Sequence, residues 1–252
     1  MTTNTLQVAV ILAAGMGTRL KEEGKTRPKG FLRLGMRPII HESIDKLLRA
    51  GIRQIIIVTG HHFIFYERLK KSYPGIIETV HNSQYAHSGS MHSLYCARER
   101  LTEDFLLLES DIIYEERALS EIMRFPKDNG VLLSGPTASG DEVYVSVSGA
   151  RIIGISKNLD QISSTIIAGE LVGITKVSRY LFKEMIATAE AMFRRTLHVA
   201  YETDCLSMVA SLCPLFYHLV PDLIWSEIDD PLGYRRAINR VYPTIIEAAQ
   251  AV

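Results

Sequence analysis

Several things are scarce in this 252-residue sequence, and each scarcity removes a class of protein. There are three cysteines, Cys96, Cys205 and Cys213, an odd number with no C-x-x-C spacing. That argues against a disulfide framework or a zinc site and fits a reducing compartment. Neither sign of charge is in excess, since Lys+Arg and Asp+Glu are 28 each. No basic field is present to hold nucleic acid, and no acidic tail, so small molecules are the expected partners. The opening stretch Met1 to Gln7 is polar, and the apolar run behind it is too short for a membrane span or a signal core. A cytoplasmic protein without a membrane partner is expected. Repeats, low-complexity segments and linkers are missing, so residues 1–252 are expected to form one large α/β domain. The eight histidines contain no H-E-x-x-H, and no Ser-His-Asp or catalytic cysteine arrangement can be argued.

What is present is concentrated near the start. Val8 to Ala14 is an unbroken run of small and β-branched apolar residues, as in a strand buried on both faces of a parallel sheet. Gly15-x-Gly17-Thr18-Arg19 follows it directly. Glycines allow a sharp turn and let backbone N–H groups approach a ligand, while Arg19 and Lys29 add positive charge. Such a loop suits a polyphosphate. It is not a P-loop, because no Gly-Lys-Ser/Thr follows, and it is a poor dinucleotide fingerprint, because Leu20 stands where a third glycine belongs.

Along the chain, helical spacing from Pro38 to Gly51 leads to a strand at Gln54 to Val58. A helix over about 63–72 and a strand over 76–80 follow, so right-handed parallel crossovers are expected. A helix over 90–101 precedes Phe105-Leu-Leu-Leu-Glu-Ser-Asp111, a buried strand ending in an acid. Ligands of open α/β sheets sit beyond the carboxyl ends of strands, which puts the Gly15 loop and Asp111 on one working edge. After a helix over 118–124, short strands at 131–134, 143–147, 152–156 and 171–175 look like hairpins. Helices over 178–193 and 204–212, strands at 215–219 and 224–228, and a helix from Pro231 complete the pattern.

Two acids, Asp111 and Asp229, each close an apolar strand. Carboxylates converging beside a phosphate loop are hard ligands suited to Mg²⁺, though each also suits a helix cap. Lys157 follows a short strand, where a solvated edge charge is the ordinary alternative. The polar run Asn82 to Met91, containing Ser88-Gly89-Ser90, has the amide and hydroxyl groups to frame a nucleobase, or is an ordinary capped loop.

The whole string Leu12-Ala-Ala-Gly-x-Gly-Thr-Arg19 followed by Pro28-Lys29 resembles the sugar-phosphate type nucleotidylyltransferases. Further segments, among them Leu107-Leu-Glu-Ser-Asp111, Ser156-Lys-Asn158, Gly169-Glu-Leu-Val-Gly173, Tyr201-Glu202 and Trp225-Ser-Glu-Ile-Asp229, are similar to the 2-aminoethylphosphonate cytidylyltransferase family, which joins CTP to 2-aminoethylphosphonate. The resemblance implies a Rossmann-like, mostly parallel sheet flanked by helices, with a smaller antiparallel acceptor-binding insertion. It implies nucleotide binding by Leu12, Ala13, Ala14, Gly15, Gly17, Thr18, Ser88, Gly89 and Ser90. Arg19, Lys29, Asp111 and Lys157 become the catalytic candidates, with Mg²⁺ held by Asp111 and Asp229. Asp141, Glu170, Tyr201 and Glu202 fall on the acceptor side. A primary ammonium seeks charged acceptors, whereas a trimethylammonium favours ring faces, so Asp141, in a segment with a single aromatic, fits an aminoethyl group better than choline. A phosphocholine, phosphoethanolamine or sugar-1-phosphate acceptor, and a non-catalytic nucleotide sensor, remain as alternatives.

Overall fold

The computed structural model describes residues 6–162 and 166–250. Eleven strands run along them: β1 (Val8–Ala13), β2 (Gln54–Thr59), β3 (Ile77–His81), β4 (Phe105–Glu109), β5 (Ile112–Tyr114), β6 (Gly130–Ser134), β7 (Tyr144–Ser148), β8 (Arg151–Ser156), β9 (Ile166–Val177), β10 (Phe216–Val220) and β11 (Trp225–Glu227). Nine form one sheet in the order β3-β2-β1-β4-β9-β6-β10-β8-β7, and β5 pairs with β11 in a separate ribbon.

The expected parallel half is there: β1 lies between β2 and β4, and β3 extends the same parallel set. Its apolar runs are explained by burial on both faces. Val8, Val10 and Leu12 point to one core with the helices Ser90–Cys96 and Arg179–Phe193. Ala9, Ile11 and Ala13 point to another with Ile39–Arg49, Ile64–Lys71 and Arg117–Arg124. Alternate side chains of one strand thus enter opposite cores, the arrangement of a helix–sheet–helix sandwich.

The expected antiparallel strands are continuous with this parallel half. β9 joins β4 to β6, both antiparallel, and also pairs with β7. Strands β6, β10, β8, β7 and β9 therefore close on themselves at one end of the same sheet, so the sheet is mixed. The twelve-residue length of β9 makes this possible, because its first half pairs with β7 and its second half with β4.

Two expected helices differ. The one expected over 90–101 stops at Cys96 and resumes as a 3₁₀ turn at Arg98–Arg100. The one expected over 204–212 begins at Tyr201 as a π-helical turn to Leu206. There the Ala200 N–H donates to Asp204 Oδ2 at 2.8 Å and the Tyr201 N–H to Ser90 Oγ at 2.9 Å, so side chains start the turn early. Among the described residues no helix is long and apolar enough to cross a membrane.

Candidate active site

The chain leaves β1 toward β2 on one side, while β4 lies on the other, so a crevice opens at the carboxyl ends of β1 and β4. A cavity of about 230 Å³ occupies it. Leu12, Ala13, Ala14 and Gly15 line it from β1 and the turn after it, Ser88, Gly89 and Ser90 from the start of helix Ser90–Cys96 and the loop before it, and Arg19, Lys29, Asp111, Lys157, Glu202 and Asp229 from six other segments. Gly17 and Thr18 are outside this lining. Gly17 instead makes the turn, with φ 64°, a left-handed conformation that a side chain resists.

Gly89 is fixed by packing. A Cβ there would meet the Val199 carbonyl oxygen at 2.2 Å, because the Gly89 N–H donates to Leu197 and the Met91 N–H to Val199. Asn82 is buried and braces this loop, its amide donating at 3.0 Å to both Ser88 Oγ and Ser93 Oγ.

The acids meet through the small ribbon. β11 pairs with β5 with Glu227 opposite Ile112, and the Ile228 N–H donates to the Asp111 carbonyl at 2.9 Å. This ladder brings Asp229 beside Asp111. Lys29, on a 3₁₀ turn after Pro28, donates to both: at 2.6 Å to Asp111 Oδ2, and also to Asp229 Oδ1. Arg19 Nη2 lies 2.7 Å from Asp229 Oδ2. Burial works against the charge on Lys29, but Asp111 and Asp229 outweigh it and hold the ammonium above its ordinary range. Burial works against the charge on Asp229 too, but Lys29, Arg19 and a hydrogen bond from Glu227 together hold its carboxyl below the ordinary range.

Two acids with no role assigned from sequence also line the cavity, Glu109 and Glu227. Burial, then the charges of Asp111 and Asp229, pushes Glu227 up to about 9. Burial, then Glu202 and Glu227, raises Glu109. Each stands two residues before a predicted acid, in Glu109-Ser-Asp111 and Glu227-Ile-Asp229. Residues i and i+2 of a strand share a face, so this doubled spacing is the signal that would have found them.

Oxygens of Glu109, Asp111 and Glu227, and of Asp141, Glu227 and Asp229, lie within 4.8 Å of one another in each triad. Carboxylates are the hard donors a magnesium-like ion takes, and the Lys29 ammonium already bridges two of them, so the donor set fits such an ion.

The acceptor-side residues are divided. Asp141 and Glu170 line a neighbouring cavity of about 330 Å³ that shares only Glu227 with the first. Asp141 is thus grouped with Glu227 and Asp229. Both Glu170 oxygens accept from the Thr137 N–H, at 3.0 and 3.1 Å, so this side chain anchors the loop that carries Asp141. Tyr201 is fully buried and lines neither cavity, whereas Glu202 enters the first, where Ser90 Oγ donates to it at 3.4 Å. The π-helical turn explains the split, burying one residue and turning the next to the ligand side.

The chain is similar to the CMP-5'-(3-aminopropyl)phosphonate synthase of Streptomyces rubellomurinus, with 28% identity over 250 residues, 93% of this chain and 39% of that one. It is also similar to the choline-phosphate cytidylyltransferase of Streptococcus pneumoniae, 30% identical over 116 residues, 46% of this chain and 50% of that one. The chain thus spans half or less of the length of these curated relatives. In fold it matches the inositol-1-phosphate CTP transferase from T. maritima with a TM-score of 0.81 at 18% identity, covering 97% of this chain and 98% of that one. The fold is that of the nucleotidyltransferases. The MobA-like NTP transferase domain matches residues 9–212, most of the chain, and the chain belongs to that family.

Proposed function

We propose that the protein transfers CMP from CTP to 2-aminoethylphosphonate, giving CMP-2-aminoethylphosphonate and pyrophosphate. The observation that carries this reading is that one cavity is lined by the Gly15 loop, three basic side chains and the strand-end acids together. A nucleotide sensor has no use for the acid pair, and the relatives named above join CMP or CTP to phosphorylated or phosphonate acceptors.

The acceptor's phosphonate oxygen is already anionic and attacks the α-phosphorus in line without a general base. The new O–P bond forms as the bond to the β-phosphate oxygen breaks, and pyrophosphate leaves with that electron pair. Catalysis then rests on positioning and on neutralising charge. Backbone from Leu12 to Gly15 receives the triphosphate, Arg19 and Lys29 neutralise it, and Lys157 holds the phosphonate. Ser88, Gly89 and Ser90 frame the base. Asp111 and Asp229 would hold Mg²⁺, which when bound supplies further charge neutralisation on the phosphate oxygens.

The test is a matrix of four nucleoside triphosphates against 2-aminoethylphosphonate, phosphoethanolamine, phosphocholine and glucose 1-phosphate, read by pyrophosphate release. CTP with 2-aminoethylphosphonate is expected to stand out. Turnover with a sugar phosphate and no response to the phosphonate contradicts the reading.

A further inference from the structure

The neighbouring cavity of about 330 Å³ has no part in the transfer scheme, although it is the larger of the two. Two cations line it, Arg236 and Arg240, one helical turn apart across the π-helical segment Ala237–Val241. Such π-helical turns recur at functional sites. Among the described residues no carboxylate lies at ion-pair distance from either guanidinium. Arg236 Nη2 donates to Ser226 Oγ at 3.1 Å, while Arg236 Nε is buried without a hydrogen-bond partner. A buried N–H left in that state is uncommon and costly. The acids of the cavity come from other elements and are turned to other tasks. Glu170 accepts from the Thr137 N–H and Glu142 from the Gly140 N–H, both at 3.0 Å, and Asp141 and Glu227 are grouped with Asp229. Leu223, Val241 and Trp225 add apolar surface, the indole N–H of Trp225 being committed to Ser134 Oγ at 2.7 Å.

We propose that this cavity is a second anion site, which takes a small organic phosphate or phosphonate and is separate from the site of transfer. A guanidinium is always charged and presents its N–H groups as a planar fork that matches phosphate and phosphonate oxygens. Two of them one turn apart can hold a single such group. The apolar surface favours an organic ligand over a bare phosphate ion, because it covers a carbon body that the ion lacks. The ligand is not the reacting acceptor: Arg19, Lys29 and Lys157 all line the other cavity, and Glu227 is the one residue that lines both. It therefore stands as an effector beside the transfer site. The inference does not depend on the nucleotidyl-transfer reading.

Trp225 is the single tryptophan of the chain and lines this cavity and not the other, so its fluorescence reports occupancy directly. The wild-type protein, without nucleotide or metal, is titrated with ethylphosphonate and with inorganic phosphate at constant ionic strength. Ethylphosphonate is expected to give a saturable change and to bind more tightly than inorganic phosphate. Arg236→Gln and Arg240→Gln should each weaken its binding about tenfold, the scale of a hydrogen bond to a charged group. Lys157→Gln, in the other cavity, should leave the response unchanged. Absence of a saturable change in the wild type overturns the proposal, and this measurement does not depend on any variant folding. Arg240 is exposed, so its replacement spares the core, and wild-type binding by folded Arg240→Gln also overturns the proposal. Loss of the response in folded Lys157→Gln overturns it as well, by placing the anion in the transfer cavity. Inorganic phosphate binding as tightly as ethylphosphonate overturns the assignment to an organic ligand.

Discussion

Lys29 shows how one residue can be legible in its charge and not in its contacts. Pro28-Lys29 reads from sequence as a phosphate-gripping element, and the structure instead finds its ammonium held between Asp111 and Asp229. The two observations agree if the ammonium serves as counter-charge to the acids. Lys29→Met should then leave Asp111 uncompensated and Asp229 with Arg19 alone, and destabilise the metal-free protein by about 3 kcal/mol, the scale of a broken buried ion pair. Added Mg²⁺ should raise the melting temperature of this variant more than that of the wild type; an equal rise in both contradicts the pairing. The pH dependence follows from Asp229, whose folded carboxyl is held below its ordinary range because Lys29, with Arg19 and Glu227, outweighs burial. A depressed carboxylate contributes stability above its unfolded value and loses it as pH falls through the folded value. Wild-type melting temperatures should therefore drop on acidification below the ordinary aspartate range, and the variant's should drop less. Glu109 and Glu227 escaped the sequence reading because an acid beside another acid looks like a solvated strand end until the partner strand is known.

At the scale of elements, the β1–β2–β3 crossovers and the helix Arg179–Phe193 were legible because each carries its own pattern. The helix opens where expected, with Ser178 Oγ accepting from the Leu181 N–H at 3.1 Å. Ser178→Ala should cost about 1 kcal/mol, the usual value of an N-cap, and leave kinetic constants unchanged. Denaturant unfolding beside steady-state assays checks both halves. The loop at Gly89 behaves differently, because chain 197–199 crosses against it. Gly89→Ala should lower stability by about 1–3 kcal/mol, as overpacking does, and weaken CTP binding as well, since the same loop lines the cavity. Unaltered melting and CTP affinity would show that the loop yields freely. No local pattern announces this crossing, nor the π-helical turn at Tyr201, because both are set by contacts distant in sequence. For the same reason the sequence shows the antiparallel strands only as short hairpin-like segments, and the pairing of β9 with β4 that joins them to the main sheet is not legible in it.

The whole molecule is a mixed sheet between two helical layers, with Cys205 and Cys213 in one of its cores. Burial pushes the Cys205 thiol up to about 12. At pH 8 a thiol reagent should therefore titrate Cys96, the half-buried one, and reach the other two only on global unfolding. Fast reaction of all three in the native protein contradicts the packing. On its working edge the fold brings together acids that the sequence keeps far apart, Asp111 and Asp229. The β5–β11 ribbon is the device that does so. The most direct test of this convergence is the binding of Mn²⁺, as a Mg²⁺ substitute, in the presence of CTP, followed by electron paramagnetic resonance. Wild type should hold the ion, and Asp111→Ala and Asp229→Ala should each release it while keeping their fold by circular dichroism. Wild-type affinity for the ion in either folded variant contradicts the account.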